Sequence, residues 1–408
     1  MRGWIAGLTL AVALLVGWPG SAGPLVISAN TSDPAPREAW SEVVAGFRRE
    51  NPDIDVRFNV YDHESYKKSL RNWLTSGAPD VVFWFAGNRM REFAERGLFE
   101  DVSDLFTPDA RAAFPASALA LLSVRGRQYG VPYSYDHLGF YFRRDVLQRV
   151  GLQAPRDWAE LVAVCERLRR DGLEPFAIGS KDLWPTAAWF DYINLRLNGH
   201  EFHMNLMAGR IPYTHARVRA VFAKWRELLD RGCFAENHAS MSWQESQALL
   251  YRGRSAMMLI GNYIVRNFPP DTRDNMDFVR FPTIDPAVGR YEDAPMNSVH
   301  VPARARNKAD ARRFLGYVMR ADVQQELNRR LLLIPVNTRA AVADDRFLRS
   351  GAELLTGADA LAQYFDRDTS EDLATVAMKG FQEFMIKPDR LDAVLAGIER
   401  ARRRIYKP

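Results

Sequence analysis

Between Pro24 and Trp84, three short apolar runs alternate with two amphipathic stretches, and few architectures accept that order. Pro24 to Ser28 reads as a strand. It runs into the polar loop Asn30-Thr31-Ser32-Asp33, where Asp33 is placed to cap a helix with Pro34 or Pro36 in its first turn. Trp40, Val43, Val44 and Phe47 mark the buried face of that helix, and Asn51-Pro52-Asp53 stops it. Ile54, Val56, Phe58 and Val60 alternate as a strand does, Tyr66 to Leu74 is a second helix, and Asp80 to Trp84 is a third strand. A β-α-β-α-β order of this kind predicts a mainly parallel sheet wrapped by helices. The next helix buries Met90, Phe93 and Ala94 and ends at Gly97. A buried strand that delivers Trp84, Asn88 and Arg89 at its C-terminal end has the anatomy of a ligand site in an open α/β sheet.

At 408 residues the chain exceeds what a single core comfortably fills, so two lobes are expected. Arg2, the apolar run Trp4 to Val16 and the small residues Gly20-Ser21-Ala22 form an export signal, with cleavage expected after Ala22. The apolar run is too short to span a bilayer, and no cysteine stands near the cleavage point to take a lipid. The expected location is the periplasm, where a disulfide between Cys165 and Cys233 is permitted; two buried thiols are the alternative. Two cysteines make no zinc or redox site, and no cofactor or metal is expected. The 55 basic residues are nearly balanced by 50 acidic ones, and Arg402 to Arg404 fall on a terminal helix, so a solvated helix face is favoured over a nucleic-acid partner.

Further along, Gly126 to Tyr133 looks like a short hairpin leading into a long strand, Tyr133 to Phe142, suited to pass from one lobe to the other as a hinge. Asp182 to Thr186 is a loop ahead of an aromatic helix containing Trp189. Ser242-Trp-Gln-Glu245 is a capping box. Ser255 to Ile260 is a buried strand with Gly261-Asn262-Tyr263 at its C-terminal end. Pro282 to Pro295 is a turn-rich second crossing, and Leu354 to Tyr364, Leu373 to Lys387 and Arg390 to Tyr406 read as a closing helical set.

Four ordered stretches carry a resemblance. They are Pro79 to Asp101, Gly130 to Asp145 with Pro155 to Leu161, Leu250 to Asn262, and Asn307 to Leu315. Together they resemble the maltose-binding-like family of extracellular solute-binding proteins, the sugar-binding components of ABC importers. The resemblance implies a two-lobed periplasmic-binding-protein fold (type II), α/β in class, each lobe a mainly parallel sheet flanked by helices. The expected lobes are 23–134 with 296–338, and 139–285 with 339–408, joined near 132–139 and 282–296. Ligand would sit between the lobes, and the closed form would dock on permease subunits in the inner membrane. A monomer without catalytic activity is expected.

Residue by residue, the resemblance places Trp84 against a sugar face and Asn88 and Arg89 on hydroxyls. It puts Asp136 on the hinge-strand carboxylate, Asn262 in the ligand loop, and Tyr263 at an aromatic platform where Trp is frequent. Trp243, Trp184 and Asn297 follow from loop position. Such a set suits a polyol, because an aromatic plane takes the apolar face of a sugar ring while acids, amides and Arg take its hydroxyls. The residues also admit plainer roles: Trp84 in a core, Asp136 in a buried structural bond, Arg89 paired with Glu92 or Glu95, Asn262 shaping a turn, Trp243 packing a helix start. Alternatives of function are the same fold holding a polyamine, a phosphodiester or a thiamine-like compound, or an exported glycoside hydrolase. The hydrolase would need a second carboxylate for which there is no signature.

Overall fold

The computed structural model describes residues 23–31, 33–77 and 79–407, and the export signal with its cleavage point lies outside them. Two sheets organise these residues. The first orders its six strands Ile334–Pro335, Val131–Tyr135, Met296–His300, Val81–Phe85, Leu25–Ala29 and Val56–Val60. Helices Pro34–Glu50, His63–Ser76, Lys308–Met319 and Ala321–Leu331 pack on it, contributing Trp40, Leu70, Phe314 and Leu327 to one continuous core.

The second sheet orders Met276–Val279, Leu138–Arg143, Ser255–Gly261 and Glu174–Ala177. Its central strands are apolar on both sides because both faces are covered. Phe140, Phe142, Met257 and Leu259 face a core built with helices Trp158–Arg170, Pro185–Met207, Ala216–Leu229, Glu371–Ile386 and Leu391–Ile405. Tyr141, Met258 and Ile260 point the other way, onto Leu250 and Phe347. Period-two alternation with two apolar sets is what a strand buried on both faces requires. Cys165 and Cys233 are both fully buried and joined as a disulfide, tying helix Trp158–Arg170 to the segment after helix Ala216–Leu229.

The two-lobed α/β architecture stands, but the sheets are mixed rather than mainly parallel. Leu25–Ala29 runs parallel to both its neighbours, whereas Met296–His300 is antiparallel to Val81–Phe85 and to Val131–Tyr135. The reason lies in the crossings: a chain that leaves a lobe and later returns re-enters its sheet from the opposite end.

The expected long strand from Tyr133 to Phe142 is two strands in different sheets. It breaks at Asp136-His137, where the Asp136 amide donates to the Pro295 carbonyl and the His137 carbonyl accepts from the Asn262 amide. The expected helix from Leu354 to Tyr364 is instead a helix over Arg346–Thr356, followed by the short strand Ala360–Ala362 paired in parallel with Tyr291–Asp293. The Asp359 amide donates to the Arg290 carbonyl and turns the chain into that pairing.

Candidate functional site

A cavity of about 190 Å³ lies between the lobes. Its wall on the second lobe is aromatic. Trp184 stands one residue ahead of helix Pro185–Met207, Trp243 opens helix Trp243–Tyr251 within a complete capping box, and Tyr263 follows strand Ser255–Gly261. The three rings meet at steep angles: Trp243 and Tyr263 at 5.3 Å and 83°, Trp184 and Trp243 at 6.0 Å and 60°. Tyr364 completes the wall, its hydroxyl donating to the Trp184 carbonyl at 2.6 Å. Rings locked edge to face cannot swing away, so they present fixed apolar surfaces to a ligand. Across the cavity stands Phe85, the last residue of its strand.

The polar groups converge near the first crossing. Asp136, only 5% exposed, accepts a hydrogen bond from Asn297 Nδ2 at 2.7 Å. Burial pushes its carboxyl above the ordinary value of 3.8, against the opposing pull of Arg367, Asn297 and Arg266. Asn297 also donates to Ser134 Oγ at 3.2 Å and accepts from Arg367 Nη1 at 3.4 Å. Arg266 and Arg367 both line the cavity, and among the described residues neither has a carboxylate within ion-pair distance. Arg266 is held below the ordinary guanidinium value by burial.

The first lobe adds Asp33, His63 and Lys67. Asp33 occupies the cap position of helix Pro34–Glu50, yet among the described residues its side chain makes no capping bond; it lines the cavity instead. Asp62, by contrast, caps helix His63–Ser76 by accepting from the Ser65 amide at 3.0 Å. Partial burial in the cleft, with Lys67 and Arg367 nearby, lowers the His63 imidazole from its ordinary value. Asp366 is within 3.7 Å of Lys67; burial alone would raise its carboxyl, but Lys67, Arg89, Arg367 and His63 together hold it below the ordinary value.

Of the residues singled out in the sequence, Asp136, Trp184, Trp243, Tyr263 and Asn297 come together on this cavity, and Trp84, Asn88, Arg89 and Asn262 do not. Trp84 is 2% exposed and packs inside the first lobe on Phe93, with the Arg89 guanidinium 5.4 Å from its ring. Its neighbour Phe85, the last residue of the strand, stacks on it at 4.8 Å and 29° and lies between it and the cavity. Arg89 is itself 5% exposed, and Glu92 pairs with Arg96 rather than with it. Asn88 opens helix Asn88–Glu95, whose N-terminus abuts the other lobe. Asn262 is fully buried at the crossing, where it accepts from the His137 amide at 3.2 Å and donates to the Leu332 carbonyl at 3.3 Å.

Sequence reasoning passed over Phe85, His63, Lys67, Arg266, Asp366 and Arg367. Phe85 directly follows Trp84 and stacks on it. The run Tyr364-Phe-Asp-Arg367 carries the same mixture of aromatic, acid and base that marked the other candidates. Among the described residues, no group of three or more His, Cys, Asp or Glu is arranged to hold a metal ion, and no helix is long and apolar enough to cross a membrane.

The sequence model of the family described as bacterial extracellular solute-binding protein matches residues 31–325. An ABC transporter extracellular-binding protein of Pyrococcus horikoshii is 23% identical over 303 residues, which cover 72% of this chain and 67% of that protein. A second protein of the same organism is matched over only 54% of its length. The multiple sugar-binding protein of Streptococcus mutans is 20% identical over 293 residues, 70% of this chain and 69% of the relative. Among solved structures, the bacterial solute receptor AcbH, described as having an exclusive preference for β-D-galactopyranose, superposes with a TM-score of 0.90. It is 26% identical, and the superposition covers 94% of this chain and 99% of AcbH.

Proposed function

Since this chain belongs to the bacterial extracellular solute-binding proteins, we propose that it captures a single sugar ring between its lobes and delivers it to the membrane permease of an ABC importer. The observation that carries this reading is the cavity itself, an aromatic wall facing a cluster of unsaturated donors and acceptors. A pyranose has an apolar face and a rim of hydroxyls, each able to donate and to accept. Trp184, Trp243 and Tyr263 meet the face; Arg266 and Arg367 supply donors; Asp136 and Asp33 supply acceptors.

Size supports one ring rather than a chain. The cavity of about 190 Å³ is compact, enclosed by the aromatic wall on one side and by Phe85 and His63 on the other. AcbH, described as preferring galactopyranose, points the same way. The relatives are binding proteins, and on this reading the chain leaves its sugar chemically unchanged. It is exported by the segment ending near Ala22 and works as a monomer in the periplasm.

The test is thermal unfolding of the protein against single-ring sugars, maltooligosaccharides and a few polyamines and phosphorylated solutes. A ligand at a hundred times its dissociation constant adds about 2.7 kcal/mol to the native state. The expected result is a raised midpoint with a monosaccharide such as D-galactose, absent in Trp184→Ala. A rise only with a cationic or phosphorylated solute, or release of new reducing ends from an oligosaccharide, would refute the reading.

A further inference from the structure

Helix Asn88–Glu95 has no cap from its own segment. Gly87 occupies the cap position with φ +86° and no side chain to offer. The other lobe supplies what is missing. Asp368, buried at the end of the helical turn Phe365–Asp368, brings Oδ1 to 2.9 Å from where a Cβ on Gly87 would stand, and the Asn88 amide bears on the same carboxylate. Its Oδ2 accepts from the Gln363 amide at 3.1 Å, which folds the segment back on itself. Three further contacts join the lobes through the same stretch of chain. Arg71 pairs with Glu371 at 2.6 Å, Lys67 lies 3.7 Å from Asp366, and the Arg367 guanidinium sits 4.0 Å over the Phe85 ring.

We propose that Asp368 is a positioning residue of the binding site: it caps helix Asn88–Glu95 from across the cleft, and this docking holds the lobes closed with Asp366 and Arg367 set against Lys67 and Phe85. Amides at a helix N-terminus lack internal partners and carry partial positive charge, so a carboxylate seated there satisfies both. The carboxylate comes from the opposite lobe, beside the second crossing where Gln363 accepts from the Met296 amide and donates to the Ala294 carbonyl, so on this proposal the contact tightens as the lobes close. Glycine is required at position 87 on two counts. A side chain there would strike Asp368 Oδ1 and the Arg367 carbonyl, and the positive φ disfavours one. Asp368 is not among the residues lining the cavity; Tyr364 is anchored within its own lobe by Trp184, and docking brings Asp366 and Arg367 against Lys67 and Phe85. Affinity for ligand then scales with the fraction of molecules already closed.

The experiment places nitroxide labels on the exposed helical positions Glu42→Cys and Ala163→Cys, one on each lobe, and reads their separation by pulsed electron resonance on the full chain. Without ligand, the parent protein is expected to show a closed-distance population that Asp368→Ala loses. Asp368→Asn, which keeps one acceptor oxygen, retains part of it. Gly87→Ala, acting from the other lobe, opens the protein as Asp368→Ala does. A parent protein that is wholly open without ligand, or distributions unchanged by both Asp368→Ala and Gly87→Ala, would overturn the proposal. Only the affinity arm rests on the sugar reading: titration with D-galactose is expected to weaken in Asp368→Ala by the factor lost from the closed population. A parent protein that closes through Asp368 but binds no sugar would support the docking and count against the sugar.

Discussion

Replacing Asp136 by Asn should stabilise the empty protein and weaken its hold on sugar. The carboxylate lies at the first crossing, buried, with Asn297 Nδ2 donating to it at 2.7 Å. Burial outweighs the pull of Arg367, Asn297 and Arg266, and its value in the folded protein lies above the ordinary 3.8. The folded protein therefore keeps this proton to higher pH than the unfolded chain does. Ionising Asp136 costs stability at pH above its folded value, and the cost fades as pH falls through that value towards the ordinary carboxylate range. An Asn of the same shape carries no charge, so the unfolding midpoint of Asp136→Asn should exceed that of the parent at pH 7.5, and the gap should shrink towards pH 4.

Binding should move the other way. A hydrogen bond to a charged acceptor contributes about 1.5–3 kcal/mol. Its loss from a ligand hydroxyl would weaken affinity by about ten- to a hundred-and-fifty-fold. Calorimetric titration with the sugar that shifts the parent protein most, alongside thermal unfolding at the two pH values, measures both effects. An Asp136→Asn protein that unfolds earlier at pH 7.5 and binds within twofold of the parent would refute the reasoning on both counts.

Three other outcomes follow from the packing. Reducing the Cys165–Cys233 disulfide, or replacing both residues by Ser, frees a loop spanning 68 residues and should cost about 4 kcal/mol, read as a lower midpoint in denaturant; an unchanged midpoint would contradict it. Trp84→Ala should cost about 3–5 kcal/mol because the ring is in the first-lobe core, while the refolded protein keeps its sugar affinity; a selective loss of affinity would return Trp84 to the site. Phe85→Ala should cost stability on the same scale, about 3–5 kcal/mol, but in contrast to Trp84→Ala the refolded protein should lose ligand binding along with the surface that carries Arg367. Unaltered binding in Phe85→Ala would remove it from the cavity wall.

The parts of the fold written in local periodicity were legible in the sequence. Trp40, Val43, Val44 and Phe47 announced the first helix face, and all four are buried in the first-lobe core. Alternation along Ile54 to Val60 announced an early strand. The capping box at Ser242 formed as its spacing requires. What escaped was non-local. The break at Asp136-His137 is made by Pro295 and Asn262, far along the chain, and nothing within Tyr133–Phe142 signals it. The strand Ala360–Ala362 exists because Tyr291–Asp293 pairs with it. In the site, Trp84 and Phe85 stack on each other at the strand end and both are buried, and a strand buried on both faces does not say which of two adjacent aromatics reaches the cavity. Asp366 and Arg367 were hidden because they act across the cleft, against Lys67 and Phe85 of the other lobe.

The central claim is that the closed cavity holds one sugar ring. Titration calorimetry of the protein with D-galactose, D-glucose and maltotriose tests it most directly. One-to-one binding of a monosaccharide and no heat from the trisaccharide are expected if the compact cavity closes on a single ring. Trisaccharide binding as tight as that of any single ring, or heat from neither, would contradict it.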